Sequence, residues 1–306
     1  MAADAKAPPL PRDVAPYPVV ANIDFAEGPI FDDMGNLYFV NYLKNGTLGR
    51  MGPDGTTEVW VHTGGQVNGL KYDGKGWLVA ADPGKRRMTR FNVLTREMQV
   101  LTDNFEGRPY NGTNDVCLDL QGNVYFSDPG NDEGKPIGGV YRLEMDADNN
   151  PKRVIQLDGE LPFPNGLAVH PDQRRFFLAT SGDMSILAYD LTPEGRLSNK
   201  RLVYKFPTYT VDGIMFDEHG RLWVARWLHG TMDVLDVEEG QLLASYKMGG
   251  DRVTNLCFRD TSVYVTVAGR HSIERLDVGV RGARIIPGAP AVVASTGASG
   301  GSSSPR

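Results

Sequence analysis

The feature that most constrains the fold is a phrase that occurs six times along the chain. Each copy begins with a polar residue, usually followed by glycine, and continues as an apolar strand, a turn and a second strand rich in aromatic and β-branched residues. The first residues of the copies are Glu27, Asn68, Asn114, Asn165, Asp212 and Thr254. Successive copies therefore start 41, 46, 51, 47 and 42 residues apart.

This spacing is the length of one four-stranded propeller blade, ~40 to 50 residues. Two further strand-like segments follow each copy; in the first repeat they are residues 47–51 and 57–61. The repeat therefore predicts an all-β fold, a six-bladed β-propeller with four-stranded antiparallel blades. A ring of blades leaves few open strand edges. A β-sandwich or a β-helix is the alternative, but neither predicts a repeat of this length. The N-terminal strand, residues 17–23, has no preceding blade and is predicted to complete the last one.

The ends of the chain differ in composition from the repeats. We expect a flexible lead-in over residues 1–16, a single propeller domain over 17–280, and a partly disordered tail rich in Ala, Gly, Ser and Pro over 281–306. The tail contains the letters G-x-S-x-G at residues 297–301, but not the strand and helix that a serine nucleophile requires.

Composition limits the partners. The net charge of -6 argues against nucleic acid, and no apolar run approaches the ~18 to 20 residues of a membrane helix. The first residues lack the apolar stretch of a secretory signal, so we expect a cytoplasmic protein without a membrane partner. The oligomeric state stays open, a monomer being compatible with the sequence.

Cys117 and Cys257 hold the same position in repeats three and six, which lie on opposite sides of the predicted ring. A disulfide between them is therefore excluded, and we expect both side chains to fill small apolar spaces.

The first residue of each copy is predicted to lie in a ring at one mouth of the central channel, because the first strand of a blade lines that channel. Two carboxylates and three amides then converge, and burying close acids costs free energy unless a cation or a proton compensates. Oxygen ligands suit one hard divalent cation; Ca²⁺ is preferred by ligand type, and Mg²⁺, Mn²⁺ or Zn²⁺ are possible. We predict Glu27, Asn165 and Asp212 as ligands. The alternative, that such residues cap strand starts, is favoured for Asn68 and Thr254.

Four motifs, in this order, resemble the senescence-marker-protein (regucalcin)/gluconolactonase family: Glu27-Gly28-Pro29, Asn114-Asp115-Val116, Pro164-Asn165-Gly166 and Asp212-Gly213. The resemblance covers residues 17–280 and implies a six-bladed propeller with one catalytic divalent metal in the channel. Members commonly hydrolyse sugar lactones, and similar propellers include diisopropylfluorophosphatase.

The resemblance also implies roles for single residues. Glu27, Asn165 and Asp212 match the family's metal ligands, and Asn114 matches a residue that contacts substrate or metal. Arg108 and Asn111 lie in the segment with which family members hold substrate hydroxyls, although a surface salt bridge is the alternative for Arg108.

We therefore predict a metal-dependent hydrolase that opens a cyclic ester, a small-molecule sugar lactone, with metal-activated water and Asp212 as general base. Trp227, on a loop at the same mouth, is predicted to contact the substrate, the alternative being packing on its blade. Two other functions remain open. One is phosphotriester or fluorophosphate hydrolysis at the same site, and the other is a non-catalytic calcium-binding propeller.

Overall fold

The structure is a computed structural model that describes residues 7–130 and 135–284. Its strands form six four-stranded antiparallel sheets and one two-stranded hairpin. The strand before the first blade is β1 (Tyr17–Val20). Blade one consists of β2 (Ile23–Phe31), β3 (Leu37–Tyr42), β4 (Thr47–Met51) and β5 (Thr57–His62). Blade two consists of β6 (Leu70–Tyr72), β7 (Trp77–Asp82), β8 (Arg87–Asn92) and β9 (Met98–Thr102), and the hairpin β10 (Asn104–Phe105) and β11 (Arg108–Pro109) follows it. Blade three consists of β12 (Val116–Leu118), β13 (Val124–Asp128), β14 (Gly138–Met145) and β15 (Pro151–Leu161). Blade four consists of β16 (Pro164–Val169), β17 (Arg175–Thr180), β18 (Ser185–Leu191) and β19 (Leu197–Lys205). Blade five consists of β20 (Val211–Phe216), β21 (Leu222–Arg226), β22 (Thr231–Asp236) and β23 (Gln241–Lys247). Blade six consists of β24 (Val253–Arg259), β25 (Ser262–Val267) and β26 (Ser272–Asp277), together with β1.

The blades close into a ring, which confirms the predicted six-bladed propeller. The six inner strands contact one another in sequence, β2 with β6, β6 with β12, β12 with β16, β16 with β20, β20 with β24, and β24 again with β2. The last blade takes its fourth strand from the N-terminus, because β1 pairs with β26 and places Tyr17 opposite Arg275. Hydrogen bonds between the two ends of the chain therefore hold the ring closed, as the sequence predicted.

In four of the six blades an aspartate directly after the inner strand holds the hairpin turn. In blade three Asp119 accepts hydrogen bonds from the backbone N of Asn123 at 2.9 Å and from the hydroxyl of Tyr125 at 3.1 Å. In blade five Asp217 accepts the indole N–H of Trp223 at 3.0 Å. One carboxylate thus holds the turn and fixes an aromatic ring of the next strand, which is the role of Asp in such turns.

The hydrophobic core is divided among the six interfaces between neighbouring blades. Each of six buried apolar clusters joins two adjacent blades. Between blades five and six, for example, the Trp223 ring packs edge-to-face against Phe258 with centroids 5.4 Å apart. Cys117 and Cys257 are buried in two different clusters and are unpaired. They fill apolar space, as expected.

The described parts of both ends lie against blade five. The carbonyl of Pro8 accepts a hydrogen bond from Arg221 at 2.8 Å, and Ala283 N donates to the carbonyl of Phe216 at 2.9 Å. Residues 1–6 and 285–306, including the G-x-S-x-G letters at 297–301, lie outside the described residues. Within the described ranges no helix has the length and apolar character needed to cross a membrane.

Candidate active site

The upper mouth of the channel, the end at which the chain passes from one blade to the next, opens into a cavity of about 460 Å³. Five of the six repeat-starting residues line this cavity: Glu27, Asn68, Asn114, Asn165 and Asp212. The sixth, Thr254, does not, because its hydroxyl donates to the carbonyl of Ala26 at 2.7 Å and so links blade six to blade one. This structural role is the one favoured for Thr254 from sequence.

Glycine follows the acid in the motifs because the inner strands approach one another too closely for a side chain. A Cβ atom on Gly28 would lie 2.5 Å from the carbonyl oxygen of Asn68, and Gly28 also has a φ of +53°. A Cβ atom on Gly213 would lie 2.4 Å from the side chain of Asn255. Since real contacts are longer, only glycine lets the strands converge and brings their polar side chains together.

Burial raises the pKa of both acids in the cavity. Glu27 is 2% exposed and Asp212 8%. Burial, with repulsion from Asp115, raises the pKa of Glu27 to about 8. Burial raises the pKa of Asp212 well above its usual value, and Glu27 and Asp115 add repulsion. The surrounding protein therefore does not fully compensate the charged forms of these acids, and without a cation the protonated forms are favoured.

Two amide oxygens at the same mouth lack a hydrogen-bond donor. The Asn165 Nδ2 donates to Ser181 Oγ at 3.1 Å, and Ser181 Oγ donates to the carbonyl of Val211 at 2.6 Å, so the amide is held in place. The Oδ1 atoms of Asn165 and Asn114 are buried and have no hydrogen-bond partner within residues 7–130 and 135–284. Unpaired buried oxygens are costly, and they are hard ligands. Two carboxylates with two free amide oxygens fit a divalent cation such as Ca²⁺.

A polar pair from opposite blades, Asp115 and Asn255, spans the channel beneath this site, and we call this pair the channel floor. The second residue of the repeat is glycine in four blades, but it is Asp115 in blade three and Asn255 in the opposite blade six. Asn255 Nδ2 donates to Asp115 Oδ2 at 3.2 Å across the channel. Lys71, also buried, lies near enough to lower the pKa values of Glu27 and Asp115. Asp115, Asn255 and Lys71 were not predicted as site residues from the sequence. Asp115 and Asn255 could have been identified, because they stand where the other four repeats have glycine.

The structure places the predicted substrate residues differently. Asn114 and Trp227 line the cavity. Arg108 and Asn111 do not: Arg108 lies on the hairpin strand β11 with its exposed guanidinium 3.9 Å from Glu106, and the Asn111 side chain donates to the carbonyl of Ile137 at 3.4 Å. The structure thus brings together the three predicted metal ligands, Asn114 and Trp227, and leaves Arg108 and Asn111 outside.

Two aromatic residues of the cavity were also missed from sequence. Phe25 and Phe163 each lie two residues before a repeat-starting residue, and Thr210, at the same offset in blade five, lines the cavity too. The Phe25 and Trp227 rings have centroids 5.9 Å apart. The shared offset was the signal that could have identified them.

Fold and site together define a class: six-bladed propellers with acids and amides converging at one mouth of the channel. Within that class the chain belongs to the SMP-30/Gluconolactonase/LRE-like family, whose model matches residues 25–269. The resemblance inferred from the four motifs is therefore confirmed.

Individual relatives are more distant. A gluconolactonase from Zymomonas mobilis is 26% identical over 293 residues, covering 84% of this chain and 80% of the relative. The diisopropyl-fluorophosphatase of Loligo vulgaris is 26% identical over 281 residues, covering 81% and 87%. A solved gluconolactonase structure from Xanthomonas campestris has a TM-score of 0.76 at 23% identity, covering 90% of this chain and 96% of that one, a likeness of fold.

Proposed function

We propose that this protein is a metal-dependent lactonase in which Asp212 is the general base. The chain is a lactonase-type hydrolase of its family; the dependence on metal and the role of Asp212 are what we add. The observation that carries the proposal is the meeting, at one cavity, of two buried acids whose pKa values are raised with two amide oxygens that have no hydrogen-bond partner among the described residues.

Glu27, Asn165 and Asp212 would hold one divalent cation, with the Asn114 oxygen beside them. Their donor set is all oxygen, which favours Ca²⁺ and also admits Mg²⁺, Mn²⁺ or Zn²⁺. When bound, the cation supplies Lewis-acid polarisation of an ester carbonyl and lowers the pKa of water. The neutral amides limit the negative charge of the site, so that an uncharged lactone can approach.

Asp212 is better placed than Glu27 to move a proton. Both carboxyl groups accept a backbone hydrogen bond from the glycine that follows them, but Asp212 is 8% exposed and Glu27 only 2%, so Asp212 is the more accessible to water. Asp212 takes a proton from the attacking water as the water oxygen bonds to the carbonyl carbon. The bond between that carbon and the ring oxygen then breaks, and the ring oxygen receives the proton to give a hydroxy acid.

The test is a substrate and metal panel. Metal-stripped protein is assayed on glucono-1,5-lactone, γ-lactones and diisopropyl fluorophosphate after addition of Ca²⁺, Mg²⁺, Mn²⁺ or Zn²⁺. We expect lactone hydrolysis only with metal, and a fall in kcat of about 10²- to 10⁴-fold for Asp212→Asn, the usual contribution of a general base. Asp24→Asn, an exposed acid outside the cavity lining, is the matched control and should keep full activity.

The competing outcomes are distinct. Faster hydrolysis of the fluorophosphate than of any lactone would favour the activity named for the squid relative. A bound metal without turnover of any substrate would favour a non-catalytic binding protein. Full activity of Asp212→Asn would remove Asp212 as the base even if lactones are hydrolysed. The cytoplasmic location stays a prediction from sequence. Contacts of Arg108 and Asn111 with the substrate were also predicted from sequence, but the position of both side chains outside the cavity gives them no support.

A further inference from the structure

Part of the wall of the cavity is apolar, in addition to the acids and amides. Phe25 and Phe163 are 38% and 39% exposed at the mouth, and Trp227 completes the wall beside Phe25. None of the described residues that line the cavity is Arg, Lys or His. The cavity thus offers aromatic surface to a substrate and no cationic group to an anionic one.

Phe163 is held at the mouth in a backbone conformation that disfavours its residue type. Its φ is +52°, in the left-handed region where glycine or asparagine is unstrained and a bulky residue is not. The carbonyl of Phe163 accepts a hydrogen bond from Ser181 N at 2.9 Å, which ties this strained segment to the loop beside Asn165. Backbone strain of this kind is concentrated at functional sites. Here the strained residue places a partly exposed aromatic ring in the lining of the cavity.

The same combination occurs on three other loops of the upper face. Leu43, Tyr209 and Leu228 have φ values of +64°, +58° and +63°, and they are 58%, 50% and 46% exposed. They lie on the links β3–β4, β19–β20 and β21–β22, which all emerge at the upper mouth. Leu43, Tyr209 and Leu228 do not line the cavity, but the strand order places them on the face into which it opens. Exposed apolar residues are ordinary when scattered, whereas several of them on the face of an aromatic-lined cavity favour a ligand site. We call the six residues the apolar rim: Phe25, Leu43, Phe163, Tyr209, Trp227 and Leu228.

We propose that the apolar rim binds a hydrocarbon substituent of the substrate, so that the preferred substrate is a neutral lactone bearing an alkyl or aryl group. This inference rests on the proposed lactonase function and narrows its substrate class. Arg108 and Asn111, the residues predicted to bind the hydroxyls of a sugar lactone, lie outside the cavity, whereas three aromatic side chains line it. A phosphorylated or carboxylated lactone would meet no cation from the cavity lining beyond the metal that neutralises Glu27 and Asp212.

The test is a homologous series measured with the metal-loaded protein. The substrates are γ-valerolactone, γ-hexalactone and γ-octalactone, with glucono-1,5-lactone and 6-phosphoglucono-1,5-lactone for comparison, each rate divided by its rate of hydrolysis by hydroxide. Burial of one methylene corresponds to up to about fourfold in affinity. We expect kcat/KM to rise at least tenfold from γ-valerolactone to γ-octalactone, and the phosphorylated lactone to be the poorest substrate.

Two variants connect the effect to the rim. Phe163→Asn and Trp227→Ala should each reduce the ratio of kcat/KM for γ-octalactone over γ-valerolactone by about fourfold or more, the loss of at least one methylene contact. Asn tolerates the left-handed conformation, so Phe163→Asn should not lower the Tm, and loss of folding cannot produce the result. Leu94→Ser removes an 80% exposed leucine from the turn between β8 and β9 and should leave the ratio unchanged.

The outcomes separate the two proposals. A flat series, or a ratio that neither rim variant changes, overturns the apolar substrate while the lactonase stands. Faster hydrolysis of glucono-1,5-lactone than of γ-octalactone does the same. No turnover of any lactone overturns both.

Discussion

Replacing Glu27 with glutamine is expected to stabilise the metal-stripped protein and to remove most of its response to metal. In the folded chain Glu27 is almost fully buried beside Asp212 and Asp115, and these acids repel one another. Glutamine has nearly the same shape and its oxygen can still accept the hydrogen bond from Gly28 N. The substitution therefore removes the charge and leaves the packing in place.

The pKa of Glu27 gives the magnitude and the sign. Burial and Asp115 raise this pKa from 4.5 to about 8, so the folded state keeps a proton that the unfolded chain releases. The associated stability is fully present below the unfolded pKa near 4.5 and is lost as the pH rises towards 8. At 1.36 kcal/mol per unit, the loss at pH 7 is at most about 3 kcal/mol, which corresponds to a Tm difference of at most roughly 5 °C for a chain of this length.

Thermal unfolding followed by circular dichroism measures this difference. In chelator we expect Glu27→Gln and wild type to have similar Tm values at pH 5, with the variant more stable at pH 8. Ca²⁺ at 100 times its Kd should stabilise the wild type by about 2.7 kcal/mol and the variant far less. Glu58→Gln, a half-exposed partner of Arg50, is the control and should respond to Ca²⁺ as wild type does. A variant that is less stable than wild type in chelator at pH 8 would refute the reasoning.

Three further predictions concern single features of the structure. Arg108→Ala should change KM and kcat less than about threefold on γ-lactones, because the guanidinium is exposed outside the cavity; a tenfold rise in KM would show that the hairpin moves onto the substrate. The native thiols of Cys117 and Cys257 should not react with a thiol reagent at pH 8, because burial raises the pKa of each; rapid labelling of the folded protein would contradict this. Gly213→Ala should lower stability by about 1 to 3 kcal/mol in chemical denaturation, because its methyl group would meet the Asn255 side chain; an unchanged midpoint would show that the channel floor is not tightly packed.

The propeller could be predicted because its signal is local and repeated. Each blade carries the same hairpin, and the first position of each copy places one side chain at the mouth of the channel. For that reason Glu27, Asn114, Asn165 and Asp212 could be grouped from the sequence, and the cavity contains all four.

The rest depends on how the loops and the two sides of the ring meet. Arg108 precedes Asn114 by only a few residues, but the short hairpin β10–β11 turns its side chain into solvent. Asp115 and Asn255 are 140 positions apart and meet only when the ring is closed. Phe163 reaches the mouth through a left-handed backbone conformation that residue propensities do not predict.

The central claim is that one divalent cation, held by Glu27, Asn165 and Asp212, is required for lactone hydrolysis. The most direct measurement titrates metal-stripped protein with Ca²⁺ and follows bound metal by equilibrium dialysis and lactone hydrolysis in the same samples. We predict that activity rises in proportion to bound Ca²⁺ and reaches its maximum at one ion per chain. Undiminished hydrolysis by the stripped protein in excess chelator would contradict the account.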